Sequence, residues 1–370
     1  MKFLVITHTP HRQQESLLYA YEPYVREMNL WTKYVTETRI IAPLIDDAPR
    51  PIDSQYVASN ISMNAIPQIN FLGLSNALLS LVKLPLIFFT IIKNCFWAEH
   101  IHLRCPGNIG LLGSIVQVFF PSKTKTVKYA GNWDPNSSQP LSYRIQKKIL
   151  SNTFFTRNCK VLVYGKWKGA TKNIHPFFTA SYHSNEIKDV QKVELKQQLK
   201  LIYVGALTKS KQPILSVKVA QELHKKGYPI HLNIYGNGAE YQNLEKYIQQ
   251  NDLTDAVVLH GNQEKSIIKK AFQEAHFLIF VSQSEGWPKV VAEAMFWGCV
   301  PIASKVSCVP FMLGDGERGT LVDNDVDEIV KALENYLRNE PLFIETSEKG
   351  KKWSQNITLD TFELEISKLL

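Results

Sequence analysis

The chain has 370 residues, 42 Lys and Arg against 34 Asp and Glu, and a formal net charge of +8. At 45% hydrophobic and 21% charged it has an ordinary globular composition, which excludes a disordered or fibrous chain, and its length suggests two domains. The five cysteines (95, 105, 159, 299, 308) are odd in number, widely spaced and lack a C-x-x-C, a pattern that argues against a disulfide framework or a zinc site.

In chain order, short β-branched runs alternate with longer helical patterns. Strands are expected at 2–7, 38–42, 100–103, 125–129 and 160–164, with helices at 74–95 and 141–152. Residues 1–7 are too short for a signal peptide, so the chain reads as cytoplasmic in origin. The apolar stretch 72–97 is broken by Lys83, Pro85 and Lys93; it reads as a core helix, with membrane contact as the alternative. Basic residues concentrate in the first half, where 1–195 hold 22 Lys and Arg against 12 Asp and Glu. Residues 123–172 hold eleven basic residues and one acid, Asp134. That run is either a solvated basic face or a surface for an anionic partner, and with no nucleic-acid motif beside it a lipid headgroup or phosphorylated substrate is preferred.

The polar stretch 185–198 reads as a linker. Beyond it strands are expected at 200–205, 230–235, 257–260, 277–281, 300–303 and 319–322, with helices at 213–226, 239–250, 265–275, 288–297 and 325–338. No internal repeat is present. The rhythm gives an α/β fold of two Rossmann-like, doubly wound parallel sheets facing a cleft, ligands binding outside the carboxyl ends of the strands. The expected domains are 1–190, 196–352, and a C-terminal helix at 353–370 packing back on the first.

The most informative segment is 281–304, V-S-Q-S-E-G-W-P-K-V-V-A-E-A-M-F-W-G-C-V-P-I-A-S. A strand ends near Val281, Pro288 suits the first helical position, and Glu285 falls in the loop at a strand's carboxyl end. Glu293 lies in the following helix among Val290, Val291, Ala292, Ala294 and Met295, where a carboxylate needs a partner: a core Lys or Arg, or ligand hydroxyls. The helix N-terminus offers backbone N–H groups to a phosphate.

Two glutamates eight apart within E-G-W-P-K-V-V-A-E-A-M-x-x-G-x-P-I-A resemble the E-x(7)-E signature of retaining glycosyltransferases of the GT-B fold, and more narrowly of glycosyltransferase family 4, the glycosyl transferases group 1 domain. The resemblance covers roughly 200–337. It implies that Glu285 contacts hydroxyls of the donor sugar, with Gly286, Trp287 and Pro288 lining that pocket, that Glu293 binds the ribose, and that Lys289 and Val290 present N–H groups to the diphosphate. Relatives usually carry G-R-L followed four residues later by a lysine that helps clamp the diphosphate. The corresponding stretch here is Gly205-Ala206-Leu207-Thr208-Lys209-Ser210-Lys211: Lys211 matches the lysine, Ala206 stands at the arginine position, and Lys209 is placed to compensate as a point charge. Gly236 and Gly238 form a turn, and His260 lies near the nucleobase by resemblance or is structural.

The resemblance implies that 1–190 bind the acceptor and 196–352 the nucleotide sugar; the first domain is less legible. His8 follows the first strand, Arg104 ends another as a candidate phosphate contact, and Asn132 stands near where relatives place a histidine, as a sugar contact or a turn residue. The resemblance thus implies a metal-independent hexosyltransferase of the retaining type, with a nucleoside-diphosphate sugar as donor substrate and no cofactor or metal. The acceptor would be a glycan or lipid-linked glycan in cell-surface polysaccharide or lipopolysaccharide synthesis. The protein is expected to be cytoplasmic or peripheral at the cytoplasmic face of the inner membrane, on its anionic surface, and not to bind nucleic acid. The alternatives are a nucleotide-sugar epimerase of the same fold and a catalytically silent sugar-binding partner in a glycan-assembly complex.

Overall fold

The computed structural model describes residues 1–71 and 73–370; Leu72, the first residue of the apolar stretch, lies outside them. The chain divides into two compact units, Met1–Phe177 with Glu363–Leu370, and Phe178–Phe362. In the first unit the apolar runs become strands β1 (Lys2–Ile6), β2 (His11–Gln14) and β3 (Leu17–Tyr21), helix α1 (Glu22–Thr32), strands β4 (Glu37–Ile45), β5 (Asp53–Gln55) and β6 (Ile61–Ile66), and helix α2 (Leu74–Trp97). They continue with β7 (His100–Cys105), α3 (Asn108–Val116), β8 (Thr124–Tyr129), α4 (Leu141–Ser151), β9 (Cys159–Tyr164) and β10 (Ile174–Phe177). The sheet order is β10-β9-β8-β7-β1-β4, with β6 parallel on β4; β2 pairs parallel with the end of β4 and carries antiparallel β3 and β5 beyond it.

The crossovers from β6 to β7, β7 to β8 and β8 to β9 advance the same way across the sheet. The right-handed rule therefore places α2, α3 and α4 on one face. The core-helix expectation for α2 holds for one side only. Ile87, Ile91 and Cys95 are fully buried in the same core cluster as Leu4, Ile101 and Leu103, while the opposite side, from Leu78 to Phe96, is exposed.

The second unit runs β11 (Leu199–Val204), α5 (Pro213–Lys225), β12 (Ile230–Tyr235), α6 (Tyr241–Gln250), β13 (Val257–Gly261), α7 (Lys265–Glu274), β14 (Phe277–Phe280), α8 (Lys289–Phe296), β15 (Val300–Ser304), α9 (Val309–Leu313), β16 (Thr320–Val322), α10 (Val326–Arg338) and α11 (Glu340–Ser354), and ends in α12 (Leu359–Ser367), whose last residues join the first unit. All six strands are parallel in the order β13-β12-β11-β14-β15-β16, the doubly wound arrangement whose switch point lies between β11 and β14. β11 and β14 are nearly continuous apolar runs because both faces of a parallel sheet are covered.

The boundary differs from the expected linker at 185–198. That stretch is tied to the second unit: Lys192 Nζ donates to the carbonyl of Phe272 at 3.2 Å, and His276 Nε2 lies 2.6 Å from the carbonyl of Val193. Likewise the segment after 353 is shared. Ser354 donates to the Ala292 carbonyl within the second unit, whereas Glu363 accepts from Lys33 at 2.9 Å and Tyr34 at 3.0 Å within the first.

Candidate functional site

At the switch point of the second unit, two loops at the carboxyl ends of β11 and β14 are laced together. Gln283 N donates to the Ser210 carbonyl at 2.9 Å, and Ser282 Oγ reaches the same carbonyl at 3.3 Å. Ser282 is itself fixed by Ser304 at the end of β15, whose hydroxyl accepts from the Ser282 N–H at 2.9 Å. This lacing brings Lys211 and Glu285 together as an ion pair although 74 residues separate them. The Glu285 side chain is 7% exposed and that of Lys211 30%, so the carboxylate faces inward and the ammonium lies at its solvent side. Beneath them the Tyr203 hydroxyl donates to the carbonyls of Ala206 at 3.2 Å and Lys211 at 3.4 Å. Burial, then the Glu285 charge, raises the Tyr203 pKa, which keeps that hydroxyl a donor.

The first loop is held from its other side by the turn after β12. Gly205 N donates to Tyr235 O and Leu207 N to Asn237 O, each at 3.0 Å. Gly236 has φ +135°, and a Cβ there would lie 1.9 Å from the Gly205 carbonyl oxygen; at Gly238 it would lie 2.3 Å from that of Leu207. These glycines allow the backbones to approach. Gly205 and Ala206 are thereby set beside Lys211, with Ala206 and Lys209 exposed. His260 stacks on Tyr235 with centroids 4.4 Å apart, and its Nε2 lies 2.7 Å from Asn233 Oδ1, a structural arrangement within the strands.

Helix α8 opens one residue later than its sequence suggests. Pro288 is the N-cap and Lys289 the first helical residue, because the Pro288 carbonyl accepts the first helical bond, from Val291 N at 3.0 Å. Lys289 and Val290 precede that bond, so the N-terminal end of the dipole is directed out of the loop that carries Glu285 and Gly286. The Gly286 carbonyl accepts from Ser307 Oγ at 3.2 Å, which fixes the loop's second half. The Trp287 side chain is buried, its ring stacked on Trp353 of α11 with centroids 6.3 Å apart. Glu293 is half-buried and is met by a hydroxyl, not by a lysine or arginine; Ser181 Oγ donates to its carboxylate. Sequence gave no signal for Ser181, which stands 112 residues upstream.

In the first unit, His8 lines a cavity of about 360 Å³ with Pro10, Pro43, Gly107, Asn108 and Tyr143. The protein crowded round its ring and the positive charge of Arg104 both lower its pKa, so it is neutral near pH 7. Gly107 lacks the Cβ that would meet the His8 ring at 2.8 Å. Arg104 is not the open phosphate contact expected of it: it is 8% exposed, ion-paired with Glu27 and set over the Tyr24 ring at 5.3 Å. Asn132 closes a turn, its Oδ1 accepting from Asp134 N at 2.9 Å. Among the described residues no group of three or more His, Cys, Asp or Glu is placed to hold a metal ion.

Residues 184–357 match the glycosyl transferases group 1 family. This group 1 segment lies wholly within the second unit and contains Lys211, Glu285 and Glu293. An uncharacterized glycosyltransferase of Haemophilus influenzae is 29% identical over 162 residues, which is 43% of this chain and 45% of that protein. The amylovoran biosynthesis glycosyltransferase AmsD of Erwinia amylovora is 26% identical over 191 residues, 52% of this chain and 49% of its own. The chain thus spans about half the length of these curated relatives. Among solved structures, sucrose-phosphate synthase of Thermosynechococcus elongatus superposes with a TM-score of 0.68 at 15% identity, covering 100% of this chain and 98% of that one. The Anabaena protein HepE, in complex with UDP and glucose, gives 0.68 at 13% identity with the same coverage. The fold is GT-B.

Proposed function

We propose that the protein is a retaining, metal-independent glycosyltransferase of family 4. It moves a sugar from a nucleoside diphosphate to a glycan or lipid-linked acceptor in cell-surface polysaccharide synthesis, working at the cytoplasmic face of a membrane. The observation that carries this reading is the pairing of Lys211 with Glu285 at the carboxyl ends of parallel strands, beside the N-terminus of α8. Loss of a nucleoside diphosphate from an anomeric carbon builds negative charge on the departing phosphate. The Lys211 ammonium and the α8 N-terminus are cations or positive dipole ends fixed where that charge grows. Glu285 then accepts from hydroxyls of the donor sugar, and Glu293 from the ribose, for which the Ser181 hydroxyl stands in now. In the retaining displacement the anomeric C–O bond to the diphosphate breaks, the acceptor oxygen bonds the same face of that carbon, and the acceptor's proton passes to the departing phosphate oxygen.

The complex of HepE with UDP and glucose makes uridine the first base to try. The test is nucleotide release from UDP-, GDP- and ADP-sugars with and without membrane lipid extract. One donor should be turned over only with extract, and Glu285→Gln and Lys211→Gln should each slow it by about 100-fold while remaining folded. Release of an epimerised donor with no acceptor present would identify an epimerase instead. The exposed Ala206 at the arginine position favours the silent sugar-binding reading, which holds if no donor is turned over and no nucleotide raises the melting temperature.

A further inference from the structure

We propose that the outer side of α2, with the neighbouring aromatic loops of the first unit, is a docking surface that lies in the plane of an anionic lipid bilayer. The proposal deepens the membrane part of the reading above and stands on the surface of the first unit alone. Leu78, Val82, Leu86, Phe89 and Phe96 recur at three- and four-residue intervals or their sums, so they form one stripe along the helix. Val82 is 80%, Phe89 68% and Phe96 72% exposed. A soluble monomer seldom leaves so long an apolar stripe open to water.

The stripe continues past the helix end. The Phe96 ring meets Phe120 edge-on with centroids 5.0 Å apart, Phe119 next to it is exposed, and Gln117 reaches the carbonyl of Phe155 at 3.4 Å. Phe154 and Phe155 project from the loop after α4, and the Arg157 guanidinium covers the Phe154 ring at 4.7 Å.

Charge decides what covers this surface. Between Ser54 and Asn185 the only acids are Glu99 and Asp134, against fourteen Lys and Arg. Three of those cations, Arg104, Lys125 and Lys128, are buried and do not contribute to the surface. Lys93, Arg144, Lys148 and Arg157 are exposed on the same α2–α4 side. An apolar stripe edged by cations fits acyl chains beneath anionic headgroups, and a second copy of the chain would bring like charges together. Ser75–Trp97 is long and apolar enough to cross a bilayer. Its inner side, however, buries Ile87, Ile91 and Cys95 in the core of the first unit, against β1, β6 and α3, and crossing would strip that core bare. The helix therefore lies on the membrane.

The full chain is sedimented with phosphatidylglycerol-containing vesicles and with pure phosphatidylcholine vesicles, at low and high salt. Binding is expected only to the anionic vesicles, weakened by salt, and reduced about tenfold or more by Val82→Glu with Phe89→Glu. Lys93→Gln with Arg157→Gln should lower the low-salt affinity and flatten the salt dependence. Ile267→Glu, an exposed apolar site on the second unit, should change nothing. These substitutions are at exposed positions, and an unchanged urea midpoint shows that the fold is kept. The proposal is overturned if the parent chain ignores anionic vesicles, or if the Val82/Phe89 variant binds them as well as the parent does. It is equally overturned if the parent forms a concentration-dependent dimer that this variant abolishes while vesicles stay unbound, since a second copy then covers the stripe. Thermal stabilisation by UDP, measured on the same variant, is expected to persist; its absence from every form would count against the transferase reading and leave the vesicle result standing.

Discussion

Ala206 stands where the resemblance leads one to expect an arginine, in the loop after β11, and hydrogen bonds hold that loop on both sides of it. Its carbonyl is held by Tyr203, its neighbour Gly205 by Tyr235, and its methyl group is exposed beside Lys211. An arginine at this position would add a planar, two-pronged donor without disturbing packing. Charge-assisted bonds to a diphosphate contribute about 1.5 kcal/mol or more, so Ala206→Arg is expected to tighten UDP binding by about tenfold. Ala206→Lys should achieve less, because an ammonium is a point charge. Calorimetric titration of UDP checks both; unchanged affinity would mean that the diphosphate does not reach this loop. Lys211 and Glu285 were each legible as site candidates from their separate motifs, but their pairing was not, since 74 residues separate them. Nor was the Ser181 partner of Glu293, since a single serine far upstream carries no periodicity and no spacing. Arg104 misled for a related reason: its strand-end position was right, but the carboxylate of Glu27 on α1 already claims it.

Elements were readable in proportion to how fully they are buried. The central strands β1, β9, β11, β14 and β15 are largely apolar runs of the kind a two-sided sheet accommodates, and they form where expected, as do the more polar β7, β8 and β12. The β2–β3–β5 extension was missed because His11–Gln14 and Asp53–Gln55 are polar; they pair at a sheet edge, held in part by the buried Arg12–Asp53 ion pair at 3.0 Å. Helix α2 is apolar nearly all round, so periodicity could not say which side was inside. The turn after β12 gave only a weak G-N-G signal, yet it holds the loop after β11 that carries Gly205 and Ala206. Gly236→Ala would place a methyl group against the Gly205 carbonyl at a φ that L-residues avoid. It is expected to destabilise the second unit by about 2–3 kcal/mol and to weaken UDP binding. Urea unfolding and the same titration read the two effects, and Gly227→Ala, with φ +82° and open space around it, is the control for backbone strain alone.

Over the whole chain, the buried histidines set how acid acts. Burial, followed by the Lys160 charge, lowers the His100 pKa to about 4; burial lowers His11 to about 4 against the pull of the Thr9 carbonyl; and His102 is driven well down by burial and by Arg104. All three lie in the first unit. In the second, His276 falls to about 4 through burial, and His260 is lowered less deeply buried. These rings are neutral when folded and take up protons when unfolded below about pH 6.5. Between that value and about 4 the unfolded chain binds more protons, so stability is full above 6.5 and is lost as the pH falls towards 4. A single ring shifted this far accounts for about 3 kcal/mol by the lower end of that window. With three such rings against one, the first unit should open first. Hydrogen exchange followed by mass spectrometry at pH 7.5, 6.0 and 5.0, corrected for intrinsic rates, should show β1 and β7 losing protection before β11 and β12. His102 packs against Trp31, its ring centroid 4.4 Å away, and donates to or accepts from Thr126 Oγ at 2.8 Å. His102→Gln, which stays neutral throughout, should flatten the acid slope of the first unit even where it lowers stability at pH 7.5. If β11 and β12 open first, or the slope is undiminished by this substitution, the histidines are not what makes the first unit acid-sensitive.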